Sequence, residues 1–178
     1  EIYYKEDLET FHRKSVRTMN LRNLSRQHES LTKNHVQLKL QFQTILDQVF
    51  PEYKSVFGNV YSPVSLKTLL LYPTSKDVLQ VKTEELASDI YNLGAKRSYS
   101  WCMGKAEKLK EAAVNNPFKE TLYKSHLVSM NMYMNLLLQQ KKYLLILEEE
   151  IDQLAQEFEE YTIIRSIPGI GTKITATL

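Results

Sequence analysis

Apolar residues recur at seven-residue intervals over two long stretches of this chain, near its beginning and its end. In the first, Leu24, Leu31, Leu38 and Ile45 form one series, and Leu21, His28, His35, Phe42 and Val49 form the other. In the second, Tyr123, Met130, Leu137, Leu144, Ile151 and Phe158 repeat. Tyr133, Leu147, Leu154 and Tyr161 sit in the complementary register with His126 and Gln140. Two interleaved series of this kind place an apolar seam along one side of a helix, and such a seam wants a partner helix. No Pro or Gly interrupts Lys5 to Val49, so nothing obliges the first helix to break before Phe50-Pro51. The second helix is expected to run to Ile164. The two seams can close on each other antiparallel, or on a second copy of the chain.

Between these helices the heptads stop and punctuation takes over. Ser62-Pro63 sets a cap and a first-turn proline before Val64–Leu71, and Tyr72-Pro73 ends that helix. Thr74 or Ser75 can cap the next, through Val81. Thr83 precedes Glu84-Glu85, acids suited to a helix start, and Gly94 closes that helix. Ser98 to Val114 forms a fourth, stopped by Asn115-Asn116-Pro117. No strand-like alternation is found. The fold class expected is all-α: residues 1–49 a long basic heptad helix, 50–116 a small helical head, and 117–164 the second heptad helix. Residues 165–178 then begin a helix-hairpin-helix.

Composition narrows the classes. Five Gly and five Pro in 178 residues agree with helix throughout. A single cysteine, Cys102, excludes an intrachain disulfide framework and suits a reducing, cytoplasmic compartment. Asn131, Asn135 and Gln139–Lys142 interrupt the richest apolar stretch, so no membrane span is expected. The first residues lack the pattern of a signal peptide. With no initiator Met and an end inside a helical pattern, the sequence reads as a piece of a longer protein.

The net charge of +2 is modest, but its distribution is not. Arg13, Lys14, Arg17, Arg22, Arg26, Lys33 and Lys39 face one acid, Glu29, between His12 and Leu40. Such a row can track a phosphate backbone. It can equally pair with Glu148, Glu149, Glu150, Asp152, Glu157, Glu159 and Glu160 of the second helix, or be an ordinary solvated face. In the head, Lys96, Arg97, Lys105, Lys108 and Lys110 lie near Tyr91, Tyr99 and Trp101, which serve either core packing or base stacking.

Catalytic constellations are not found. Glu148–Glu150 occupy adjacent helical positions about 100° apart, so their carboxylates diverge. Cys102 has no neighbouring His in sequence and reads as a small packed hydrophobe. His28 and His35 are two turns apart, about 10 Å, too far to share a metal. They read as polar seam residues that set register, and their protonation is expected to loosen the helix pair as pH falls toward about 6.

One short motif carries chemistry. Ile167, Pro168, Gly169, Ile170, Gly171, Thr172 and Lys173 follow a helix and precede another. The glycines would let backbone N–H groups approach a phosphate, the next helix start would add its dipole, and Lys173 would add charge. With this motif, the basic helix ending Val49-Phe50-Pro51-Glu52, and Leu70-Leu71-Tyr72-Pro73-Thr74, the chain resembles a known family. That family is the insertion-sequence transposases of the one-hundred-and-ten group, the bridge-RNA-guided recombinases.

The resemblance covers the whole chain in layout and is specific over Ser166–Leu178. It implies the central helical segment and the start of the C-terminal domain of a DNA recombinase. The family's acidic tetrad would lie before Glu1 and its nucleophilic serine beyond Leu178. Ser166 belongs to the hairpin. The implied partners are DNA, a guide RNA and further copies of the chain. A divalent metal such as Mg is implied for the longer protein and no cofactor for this segment. Two other readings stay open: a structural coiled-coil adaptor, and a helix-hairpin-helix factor of DNA repair or replication.

Overall fold

A computed structural model describes residues 16–94, 96–118 and 124–157, and every regular element among them is helical. The elements are α1 (Val16–Val49), a 3-10 turn (Pro51–Ser55), α2 (Pro63–Leu71), α3 (Ser75–Gln80), α4 (Thr83–Asn92), α5 (Tyr99–Asn115) and α6 (Lys124–Gln156). Punctuation acts largely as the sequence predicts. Ser62 Oγ accepts from the Ser65 N–H before α2, and Ser98 Oγ accepts from the Trp101 N–H before α5. Thr74 and Asp77 form a reciprocal capping box on α3.

At α4 the expectation shifts by one residue. Thr83 lies inside the helix, and Lys82 is the cap position without a side-chain bond. The 3-10 turn Pro51–Ser55, directly after Phe50, has no counterpart in the sequence pattern. Proline fits its first position because that N–H would have no helical partner.

Two compact units make up the chain: residues 31–144, and residues 1–30 with 145–178. The sequence places its boundaries at the ends of the long helices, whereas the units divide inside both. The reason is packing. Phe42, Leu46 and Val49 of α1, and Met130, Met134 and Leu137 of α6, share one buried cluster with the head.

In the 31–144 unit, α5 packs on α4, on α3 and on the 3-10 turn. The inward side of α5 is Cys102, Ala106, Leu109 and Ala113, spaced at helical intervals and buried. Small residues there let α4 approach with Leu86, Ala87 and Ile90. A chain of rings continues the core: Phe50 to Tyr53 at 5.6 Å, Tyr53 to Phe57 at 5.8 Å and Phe57 to Trp101 at 6.3 Å between centroids. Each large side chain buried here contributes about 1.5–3 kcal/mol of transfer free energy.

Several buried polar groups in this core have partners, although Asn116 Oδ1 accepts no hydrogen bond. Tyr53 donates its hydroxyl to the Ser65 carbonyl at 2.7 Å, and burial pushes its pKa up. Asn116 is buried, and its amide nitrogen lies 3.2 Å from the Val49 carbonyl, 3.0 Å from Ser75 Oγ and 2.8 Å from the Phe118 carbonyl. One side chain thus satisfies an end carbonyl of α1, the start of α3 and the exit from α5. Gly94 takes φ +86°, the left-handed geometry that ends α4, and its N–H donates to the Tyr91 carbonyl at 3.2 Å.

The unit of residues 1–30 and 145–178 is described here over Val16–Ser30 and Leu145–Glu157. Ile151 and Ala155 are buried, with Leu21 and Leu24 packed against them. Arg17 meets Glu157 and His28 meets Glu148, so the two segments run in opposite senses.

Candidate nucleic-acid interface

The sequence singled out a basic row on the first helix, and the structure sorts that row by direction. At 100° per residue, Arg22, Arg26, Glu29 and Lys33 share the side of α1 opposite its seam, and all are exposed. Arg17 does not belong to this side. Its Nε lies 3.3 Å from Glu157 Oε2, an exposed ion pair with one of the acids named as competitors. Lys33 and Glu29 each have an interaction partner as well. Lys39 is half-buried, with its ammonium 5.1 Å from the Tyr61 ring centroid.

Arg22 and Arg26 remain, one turn apart, exposed and in no ion pair among the described residues. Both belong to the unit of residues 1–30 and 145–178. A pair of guanidiniums at this spacing can meet two successive phosphates or a carboxylate pair.

The other predicted site residues lie outside the described residues: Arg13, Lys14, and the hairpin Ile167, Pro168, Gly169, Ile170, Gly171, Thr172 and Lys173.

The seam histidines are where their register predicts, but they face different chemistry. His28 is buried with Nε2 3.1 Å from Glu148 Oε1. His35 Nδ1 lies 3.2 Å from Gln140 Oε1, and burial with the nearby Lys39 ammonium lowers its pKa, Lys141 adding to the effect. The lowered pKa of His35 agrees in direction with the expectation that acid opposes the helix pair.

In the head, the basic residues of α5 divide in the same way. Lys105 is turned inward: its ammonium donates to the Val56 carbonyl at 2.7 Å and lies 5.4 Å from the Trp101 ring and 5.7 Å from the Phe57 ring. Burial lowers its pKa, with Lys108 adding to the effect. Lys110 donates to the Leu79 carbonyl at 3.2 Å. Trp101 packs on Phe57, as core use requires. Tyr91 and Tyr99 are half exposed and meet edge to face at 6.0 Å. Cys102 is fully buried, and burial pushes its thiol pKa up, which suits a packed side chain and not a nucleophile.

Among the described residues, no group of three or more His, Cys, Asp or Glu side chains is placed to hold a metal ion. Also among the described residues, no helix is long and apolar enough to cross a membrane.

The sequence reading missed the polar clamp at Asn116. It also passed over an uncharged outward row on α6, whose only signal was the spacing of Val128, Met132, Asn135, Gln139 and Tyr143. In comparison with protein families, curated proteins and solved structures, nothing matches this chain.

Proposed function

We propose that this chain is a segment of a DNA transposase or recombinase that pairs subunits and grips nucleic acid, DNA or a guide RNA, during transposition. It would carry no catalytic residue of its own. The two long helices would act as a coiled-coil arm, and Ser166–Leu178 would open a helix-hairpin-helix that belongs to the next domain. The observation that carries the reading is the outward pair Arg22 and Arg26, which no acid among the described residues neutralises. The likeness of Ser166–Leu178 to the transposase line supplies the class. Each phosphate so neutralised releases a counterion, so binding would be salt-dependent.

The Arg17–Glu157 and His28–Glu148 contacts favour a second reading, a helical adaptor whose charges serve its own fold. Filter binding to duplex DNA and to structured RNA separates the two. Retention at about 50 mM salt that fades by about 200 mM supports the proposal, and no retention of either at low salt supports the adaptor. Flanking sequence in the gene provides an independent check on class: an upstream acidic tetrad or a downstream serine domain is expected.

A further inference from the structure

From Ile90 to Ala106 the chain carries no Asp or Glu, yet it holds Lys96, Arg97 and Lys105 together with Tyr91, Tyr99 and Trp101. Part of this set is absorbed by the core, where Trp101 packs on Phe57 and Lys105 is turned onto both rings. The rest is left at the turn from α4 to α5. Tyr91 sits in the last turn of α4 and Tyr99 opens α5, and both rings are half exposed. Lys96 and Arg97 lie between them in the chain, exposed and in no ion pair among the described residues.

The two rings are held in place. They meet edge to face at 6.0 Å, and Tyr99 donates its hydroxyl to the Glu84 carbonyl at 3.4 Å. Rings already fixed lose little freedom when a ligand stacks on them. Acids stand off from the turn. Glu84 shares a side of α4 with Tyr91 but begins the helix, about 10 Å away along it. Asp89 points to another side of α4 and accepts from the Tyr72 hydroxyl. Glu107 comes two turns after Tyr99.

Aromatic faces beside unpaired cations suit a ligand with flat rings and evenly spaced negative charges. An unpaired nucleic-acid strand has both, whereas a duplex hides its base faces and an acidic peptide brings no row of rings. The Tyr91 hydroxyl has no hydrogen bond among the described residues, which leaves it for a ribose 2′-hydroxyl, a group that DNA lacks. We infer that Tyr91 and Tyr99, with Lys96 and Arg97, form a platform for an unpaired stretch of RNA. Bases stack on the rings and successive phosphates lie against the two cations. The inference rests on the nucleic-acid half of the proposed function and gives it a surface in the 31–144 unit, whereas Arg22 and Arg26 belong to the other unit.

Fluorescence anisotropy of the full chain with a labelled uridine oligomer of about fifteen nucleotides tests this. Tyr91→Ala should weaken binding at least about fivefold, the loss of one stacked base, and leave the log–log salt slope as it is. Lys96→Ala with Arg97→Ala should lower the slope in magnitude by about 1.4, two phosphate contacts removed from a single strand. All three positions are exposed, so the far-ultraviolet spectrum should stay unchanged. The uridine oligomer should bind more tightly than a thymidine oligomer, and Tyr91→Phe, which keeps the ring, should remove that preference. Val114→Ala, at an exposed site elsewhere on α5, should change nothing. A chain that binds duplex DNA or structured RNA but not the uridine oligomer overturns this inference and leaves the proposed function standing. A chain that binds no nucleic acid overturns both. Binding that Tyr91→Ala and the Lys96→Ala, Arg97→Ala chain both leave unchanged overturns the platform, and equal affinity for the thymidine oligomer overturns the choice of RNA. Arg22→Ala with Arg26→Ala should leave the effect of Tyr91→Ala at the same size, so the two surfaces are scored separately.

Discussion

The two compact units use the same two helices for opposite ends. In residues 31–144, α1 and α6 turn Phe42, Leu46, Met130, Met134 and Leu137 into a continuous core with four shorter helices. In the other unit, the buried residues among those described are His28, Ile151 and Ala155, with Leu21 and Leu24 half covered. There the apolar contact is joined by ionic or polar ones, Arg17 to Glu157 and His28 to Glu148. Similar heptad spacing thus joins a broad core in one unit and, among the described residues, a smaller contact of apolar and charged side chains in the other.

The largest break in this comparison should come from the core. Leu46→Ala is expected to cost about 3 kcal/mol, read as a lower urea midpoint at constant slope. Leu24→Ala, in the thin unit, should cost under about 1 kcal/mol because its site is already open to water. Equal costs would erase the distinction.

Asn116→Ala comes next, at about 2 kcal/mol, since it strands the Val49 carbonyl and the other groups that its amide nitrogen now meets. Gly94→Ala should cost about 1 kcal/mol or slightly more. A Cβ there would meet no atom within 4 Å, so the whole effect is the left-handed backbone, φ +86°.

The smallest effect is the pH response of the seam. His35 has its pKa lowered in the fold, so the unfolded chain binds the proton more readily. Its stabilising contribution is present in full above the ordinary histidine range near 6.5 and is lost as pH falls through the lowered folded value. His35→Gln should therefore flatten the acid side of the stability profile, measured by urea titration between about pH 7.5 and 5. A profile that stays as steep would assign the response to other groups.

Much of the architecture was legible because the signals were local. Ser62, Thr74 and Ser98 cap helices through side-chain oxygens, and those residues can be read one at a time. The seams were legible only in part: Phe42, Val49, Met130, Leu137 and Ile151 are buried as their register suggests, but so are Leu46 and Met134, which lie outside it. Which residues cover them was not, since Met130 and Leu137 carry the same pattern as Ile151 but meet different surroundings. The basic row was legible in composition and not in direction: nothing in the sequence separated Arg17, tied to Glu157, from Arg22 and Arg26. Asn116 looked like part of a helix stop, because its role depends on Val49 and Ser75, which are far away in the chain.

The central claim is that the outward arginines of α1 hold phosphates. Fluorescence anisotropy with a labelled duplex or structured RNA, across a salt series, measures it for the full chain and for Arg22→Ala with Arg26→Ala. The log–log salt slope should fall in magnitude by about 1.4–1.8, the two phosphate contacts removed, with affinity lowered across unrelated sequences. An unchanged slope and affinity would contradict the claim.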